Sequence, residues 1–142
     1  LAQVEHLVSR NRSGKSFLSL GAGETVCRPS LVSLGAGATL PAATHVACAS
    51  QAGRILTFGL DELKAMEKGG RGLMLLDLDA KDQLAGAAAY TRSVRIEGIG
   101  RGGKVREETL EIRSLNNAKA ARAKKGKVAD LGFKPTAVQR VE

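Results

Sequence analysis

The chain has 142 residues, enough for one domain or part of one, and a chain of this length can bury roughly two thirds of its unfolded surface. Aromatics are only 3%, so Leu, Val, Ile and Ala must fill the core, and 17 glycines suit tight turns and short strands better than long helices. The formal charge of +8 is lopsided: residues 1–90 carry 9 Lys/Arg against 8 Asp/Glu, residues 91–142 carry 13 against 6. Such asymmetry points to a polyanionic partner, with a merely solubilising surface as the alternative. No signal peptide is evident, and no apolar run approaches the roughly 20 residues of a membrane helix. Opening on Leu1 rather than Met, the chain is expected to be a piece of a longer protein.

In chain order, residues 2–8 suit one or two helical turns, and Arg10 to Lys15 form a polar basic turn. Phe17, Leu18 and Leu20 begin a predicted strand, and Thr25-Val26-Cys27 with Leu31-Val32 give another. Residues 34–43 read as an irregular connection, rich in Gly and Ala. Residues 44–49 and 54–58, around a Gln51-Ala52-Gly53 turn, predict a β-hairpin. Asp61 to Met66 reads as a short helical turn that Asp61 can cap. A glycine turn at 69–72 carries Arg71, and strands are expected at about 73–78 and 84–90. Ser93 to Glu97 alternates as a half-exposed strand does. Residues 98–104 are a turn, Glu107 to Leu115 suits a helical turn, and 128–129 with 137–141 finish the chain as strands.

Gly14, Gly70 and Gly126 are spaced by 56 residues twice over, each beside a basic residue. A fixed period of this size points to repeats, and several short strands per copy describe the blades of a propeller-like disc. The expected organisation is all-β: a partial blade over 1–43 and blades over 44–91 and 92–142, all within one domain. Lys15, Arg71 and Lys127 are expected at one repeat position. Arg10, Arg12, Lys68, Arg122, Lys124 and Lys125 flank them, and Arg54, Arg101 and Lys104 belong to the other turns. Cations on glycine-backed loops follow a phosphate backbone without reading bases, and the shortage of aromatics argues against stacking on single strands. These cations are therefore the expected duplex-DNA contacts; a non-catalytic protein-interaction scaffold is the competing reading.

Other motifs dissolve on inspection. Gly14-Lys15-Ser16 lacks the glycine a phosphate loop needs five positions earlier, where Ser9 stands. Gly98 to Gly103 matches a dinucleotide fingerprint in spacing, but no acidic residue follows at roughly 20 positions. His6 and His45 fit no ligand pattern, and Asp77, Asp79 and Asp82 lack the glycine and closing glutamate of a calcium loop and read as a solvated turn. Tyr90 is expected to pack in the core or at its rim. Cys27 and Cys48 match no zinc or redox spacing and are expected as buried free thiols.

Three stretches resemble a known family: Leu7 to Lys15, Gln51-Ala52-Gly53-Arg54-Ile55-Leu56, and Asp61-Glu62-Leu63 followed by Gly70-Arg71-Gly72. In order and spacing they are similar to the C-terminal domain of the A subunit of bacterial DNA topoisomerase IV, in the gyrase A/topoisomerase IV A C-terminal family. The resemblance weakens after about residue 92. It implies a β-pinwheel whose basic edge binds and bends double-stranded DNA, guiding it for strand passage, decatenation and relaxation. It implies membership of an ATP-dependent type II topoisomerase, with no catalytic residue, metal site or cofactor in this stretch. ATP and Mg would serve the rest of the holoenzyme. The implied partners are duplex DNA, the topoisomerase IV ATPase (its B subunit) and a second full-length A subunit, in the bacterial cytoplasm on the chromosome. The gyrase Gln-Arg-Arg-Gly-Gly-Lys-Gly box has only a partial echo in Lys68-Gly69-Gly70-Arg71-Gly72, which favours topoisomerase IV over gyrase.

Overall fold

A computed structural model describes residues 1–32 and 41–141. Among the described residues, seven strands make two antiparallel sheets. They are β1 (His45–Ser50), β2 (Arg54–Gly59), β3 (Leu84–Tyr90), β4 (Ser93–Ile99), β5 (Val105–Glu111), β6 (Lys127–Val128) and β7 (Lys134–Arg140). One sheet has the order β3-β1-β2-β6, the other β5-β4-β7. The expected hairpin is β1–β2, with Val46 opposite Phe58 and Cys48 opposite Leu56, closed by the Gly53 N–H donating to the Ser50 carbonyl at 3.0 Å.

The two sheets share one pairing pattern. β1 lies between β2 and β3 as β4 lies between β5 and β7. Each central strand carries a register shift, after Ala49 in β1 and after Glu97 in β4. Matching the shifts sets Ala49 against Glu97 and Gly86 against Ala137, offsets of 48 and 51 residues. The strand registers therefore repeat at 48 to 51 residues, not at the 56 residues that separate Gly70 from Gly126.

Burial explains why β1 and β2 read as continuous apolar runs. Ala47, Ala49, Ile55 and Tyr90 pack toward the other sheet, against Val94, Ile96, Leu115 and Val138. The alternate residues Val46, Cys48, Leu56 and Phe58 pack with Leu76, flanked by Leu60, Leu63, Leu75 and Leu78. A strand covered on both faces has no polar side to show. The sheets approach closely where β3 meets β7: a Cβ at Gly86 would lie 2.8 Å from the Val138 nitrogen. Tyr90 is fully buried, its hydroxyl 2.6 Å from Thr57 Oγ1, as core packing requires.

Several expected elements differ. Among the described residues, 17–20 supply a single bridge, Leu18 with Gly70, and 25–27 with 31–32 form no strand. Cys27 is accordingly exposed, not buried, while Cys48 is buried as expected. Residues 73–78 form no strand; Leu75 and Asp77 instead bond to the backbone at Ala123 and Lys124. The turn at Leu60–Glu62 begins before Asp61, so Gly59 is the N-cap and no side chain caps it. Residues 105–111 are strand β5 rather than helix, followed by the single turn α1 (Ile112–Leu115). Pairing with β4 along the whole of β5 overrides the helix-leaning Glu-rich sequence. The connection expected over 34–43 lies mostly outside the described residues.

Candidate nucleic-acid interface

The densest basic stretch closes the outer edge of the first sheet. Lys119 bridges Thr57, and the Ala120 N–H donates to the Thr57 carbonyl at 3.1 Å. The Ala123 N–H then reaches the Leu75 carbonyl at 2.9 Å, and the Lys124 carbonyl accepts from the Asp77 N–H at 3.0 Å. β6 follows, with Lys127 opposite Ile55 and Val128 opposite Arg54. The backbone of this segment is stitched down, while Lys124, Lys125 and Lys127 remain exposed. Arg122 is different. Its N–H donates to Glu62 Oε2 at 2.7 Å, its Nη1 to the Met74 carbonyl at 2.7 Å, and it is half-buried. It fastens the frame from which the lysines project.

Gly126 lets this happen. Its φ is +68°, and a Cβ there would collide with the Ile55 carbonyl oxygen. Only glycine combines a left-handed backbone with so close an approach to a strand. Gly69 repeats the arrangement: a Cβ would collide with the Phe17 carbonyl oxygen. There the Gly70 N–H donates to the Phe17 carbonyl and the Ser19 N–H to the Gly70 carbonyl, each at 2.9 Å.

Arg54 and Lys125 meet at one carboxylate. Asp79 Oδ2 lies 3.8 Å from Arg54 Nε, and Oδ1 lies 3.2 Å from Lys125 Nζ. The loop bearing Asp79 is anchored to the β1–β2 hairpin tip: Asp82 Oδ1 accepts the N–H groups of Ala52 at 3.0 Å and Gln83 at 2.8 Å. Desolvation would raise the Asp82 pKa, but hydrogen bonds from Ser50, Ala52 and Gln83, with the Arg54 charge, hold it below the ordinary 3.8.

The remaining candidate cations lie in three further places. Lys68 and Arg71 are exposed beside the 17–19 segment, and Arg71 Nη2 pairs with Glu24 Oε1 at 3.0 Å. Lys15 Nζ donates to the His6 carbonyl at 3.3 Å, with Arg10 and Arg12 exposed on the turn before it. Arg101 and Lys104 lie exposed on the β4–β5 turn. Lys15, Arg71 and Lys127 are thus three different environments: a turn, an ion pair and a strand. Among the described residues, Arg10, Arg12, Lys68, Arg101, Lys104, Lys124 and Lys127 enter no ion pair.

Local sequence does not reveal the carboxylates that matter here. Asp79 and Asp82 read as a solvated turn, and Glu24 belongs to no motif. Asp82 reaches Ala52 because β1 and β3 pair with Ser50 opposite Leu84, a register that local sequence does not contain. No group of three or more His, Cys, Asp or Glu suited to a metal occurs among the described residues. A cleft of about 330 Å³ between the two sheets is lined by Ile55, Leu110, Leu115 and Leu131, with Glu108, Lys127 and Asp130 among its polar residues. None of the helices among the described residues is long and apolar enough to cross a membrane.

Residues 44–90, which contain β1, β2 and β3, match the family described as DNA gyrase C-terminal domain, beta-propeller. The match takes in 47 of the 142 residues, so it is the β1–β2 hairpin and β3 that resemble this family. This family's pinwheel architecture agrees with the two small antiparallel sheets. The chain is also similar to the A subunit of DNA topoisomerase 4 from Neisseria gonorrhoeae, 30% identical over 129 residues. That match covers 90% of this chain and 16% of the relative's length. The E. coli ParC C-terminal domain has the same fold, with a TM-score of 0.74 at 22% identity, over 96% of this chain and 54% of that one. The C-terminal domain of a DNA topoisomerase IV matches with a TM-score of 0.56 at 15% identity, over 88% of this chain and 37% of that one.

Proposed function

We propose that this chain is part of the C-terminal pinwheel domain of the A subunit of a bacterial topoisomerase IV, and that it binds and bends duplex DNA. The observation that carries the reading is the exposed Lys124-Lys125-Gly126-Lys127 run, fixed by its own backbone along the edge of β2. A rigid backbone with mobile ammonium tips suits a phosphate chain, which presents charge at regular spacing and no fixed direction for hydrogen bonds. Arg101 and Lys104 on the β4–β5 turn, with Lys68, Arg10 and Arg12, would extend the contact. Arg54, Lys15, Arg71 and Arg122 would take part only as their present partners allow.

In this reading the domain cuts nothing; it guides a duplex for a type II topoisomerase whose ATP- and Mg-dependent steps lie elsewhere in the holoenzyme. The partners would be duplex DNA, the ATPase of the holoenzyme and a second full-length copy of the protein, in the bacterial cytoplasm on the chromosome. Similarity to the topoisomerase 4 protein over most of the chain supports this assignment.

The test is duplex binding by the 142-residue chain, read by fluorescence anisotropy against salt. If about four phosphates are neutralised, log Kd should rise against log salt with a slope near 3.6, at about 0.9 per phosphate. Changing Lys124, Lys125 and Lys127 together to Glu should abolish binding while the circular dichroism spectrum is unchanged. Affinity that survives this triple change sinks the assignment. Duplexes of scrambled sequence should compete equally; poor competition would rule out a contact confined to the backbone.

A further inference from the structure

We propose that Arg54 and Lys125 form a single phosphate subsite, and that Asp79 occupies it as an internal competitor in the free chain. The inference rests on the duplex-binding reading and specifies one point of contact within it. Arg54 opens β2, and Lys125 stands immediately before Gly126 and β6, whose Val128 lies opposite Arg54. Arg54 is thus fixed on β2, and Lys125 sits two residues ahead of the strand paired with it. Into the space between them comes one carboxylate, each oxygen directed to a different cation, at 3.8 Å and 3.2 Å. A phosphodiester offers the same features: two anionic oxygens able to accept from a guanidinium and an ammonium at once.

Asp79 did not arrive there as a wandering surface residue. Its loop is fastened to the β1–β2 tip by the Ala52 N–H to Asp82 and by the Gln51 N–H to the Gln83 carbonyl at 2.8 Å. Asp82 also faces Arg54 electrostatically, but its Oδ1 is engaged by two backbone N–H groups. Asp79 has no such anchor. Its side chain is 56% exposed and that of Lys125 is 60% exposed, so the pair is solvent-screened and readily exchanged. The Arg54 side chain, at 26%, stays in place when Asp79 leaves. Binding at this subsite is an exchange of one oxyanion for another, whereas Lys124 and Lys127 meet phosphate without displacing a carboxylate.

The experiment measures affinity and salt slope for a short random-sequence duplex with three proteins: the parent chain, Asp79→Asn and Asp130→Asn. Asp130 is exposed and enters no ion pair among the described residues, so its variant carries the same charge change away from the pair. Asp79→Asn should tighten binding about five- to tenfold at low salt and steepen the slope by roughly 0.9 to 1.8, the release expected for one or two phosphates. Asp130→Asn should give a smaller gain and leave the slope unchanged. In a background of Arg54→Gln with Lys125→Gln, the effect of Asp79→Asn should shrink to that of Asp130→Asn. If Asp79→Asn tracks Asp130→Asn in the parent background, or keeps its advantage without the two cations, the subsite is wrong while duplex binding stands. A parent chain that fails to bind duplex at low salt overturns the proposed function, and the subsite falls with it.

Discussion

Replacing Gly126 by Ala should damage the fold and the basic surface together. Two costs add. A left-handed backbone is unfavourable for an L-residue by about 1–2 kcal/mol, and Gly126 has φ +68°. The new methyl would also collide with the Ile55 carbonyl oxygen and lie 3.2 Å from Leu56 Cβ. Neither neighbour can yield, because Ile55 and Leu56 are buried at 3% and 0% exposure. The segment must lift instead, breaking backbone pairing of Lys127 and Val128 with β2, at roughly 0.5–1.5 kcal/mol per hydrogen bond lost. Reduced freedom of the unfolded chain returns about 0.4–1 kcal/mol. The expected net loss is therefore about 2–3 kcal/mol by these increments.

Gly102→Ala is the matched control. Gly102 has φ +74° and nothing within 4 Å of the added Cβ, so it bears the backbone cost alone. Urea unfolding followed by far-ultraviolet circular dichroism measures both. Duplex affinity should fall for Gly126→Ala, at unchanged total charge, because Lys124, Lys125 and Lys127 lose their fixed positions. If Gly126→Ala is no more destabilising than Gly102→Ala, the close approach to Ile55 is not what holds the segment down.

Three further outcomes follow from the core and its edges. Tyr90→Phe removes the hydroxyl that meets Thr57 Oγ1 at 2.6 Å; thermal or urea unfolding should show a loss of about 0.5–1.5 kcal/mol, with duplex affinity unchanged. Cys27 is exposed, whereas burial pushes the Cys48 thiol up to about 12. An aromatic disulfide reagent at mildly alkaline pH should therefore label one thiol at once and the second only on unfolding, and Cys27→Ser should remove the fast phase. With the Cys48 pKa raised from 9.0, its contribution is complete below 9.0 and is lost as pH climbs toward about 12. For Asp82 the sign reverses: its folded pKa lies below 3.8, so its contribution is present above 3.8 and disappears as pH falls through the folded value. Asp82→Asn should accordingly flatten the acid limb of a melting-temperature profile, and an unaltered limb would show that the hairpin-tip anchor contributes nothing.

The sequence carried the hairpin at 45–59, the strands at 84–90 and 93–99 and the final strand, because each is an apolar or alternating run with turn residues beside it. It misled where identity depends on a distant partner. β5 has the composition of a helix, with Glu107, Glu108 and Glu111 around Arg106, and becomes a strand by lying along β4. Residues 73–78 have the composition of a strand, yet Leu75 and Leu76 serve as a lid on the hairpin's far face. Candidate cations were legible as types and not as environments. Nothing local distinguishes Lys127, exposed in a strand, from Arg122, held by the Glu62 carboxylate and the Met74 carbonyl. The 56-residue spacing was a true count and a false period, since strand register repeats at 48 to 51.

The recurrence of glycine beside a cation nevertheless has a physical cause. An open strand edge leaves N–H and C=O groups that invite another chain, and this protein covers the β2 edge with a segment of its own, Lys119 to Val128. Such a segment must press its backbone against the strand, which glycine permits at 126, and similarly at 69 beside Phe17. Its side chains need not be apolar, because backbone pairing rather than burial holds it, so the positions flanking the glycine are available for charge. Edge closure thereby creates a rigid, outward-facing row in which lysine costs the fold little. The edge-covering segment and the cationic surface are one structure, which is why a single methyl at Gly126 should disturb both, while exchanging Asp79 should change the binding and leave the fold alone.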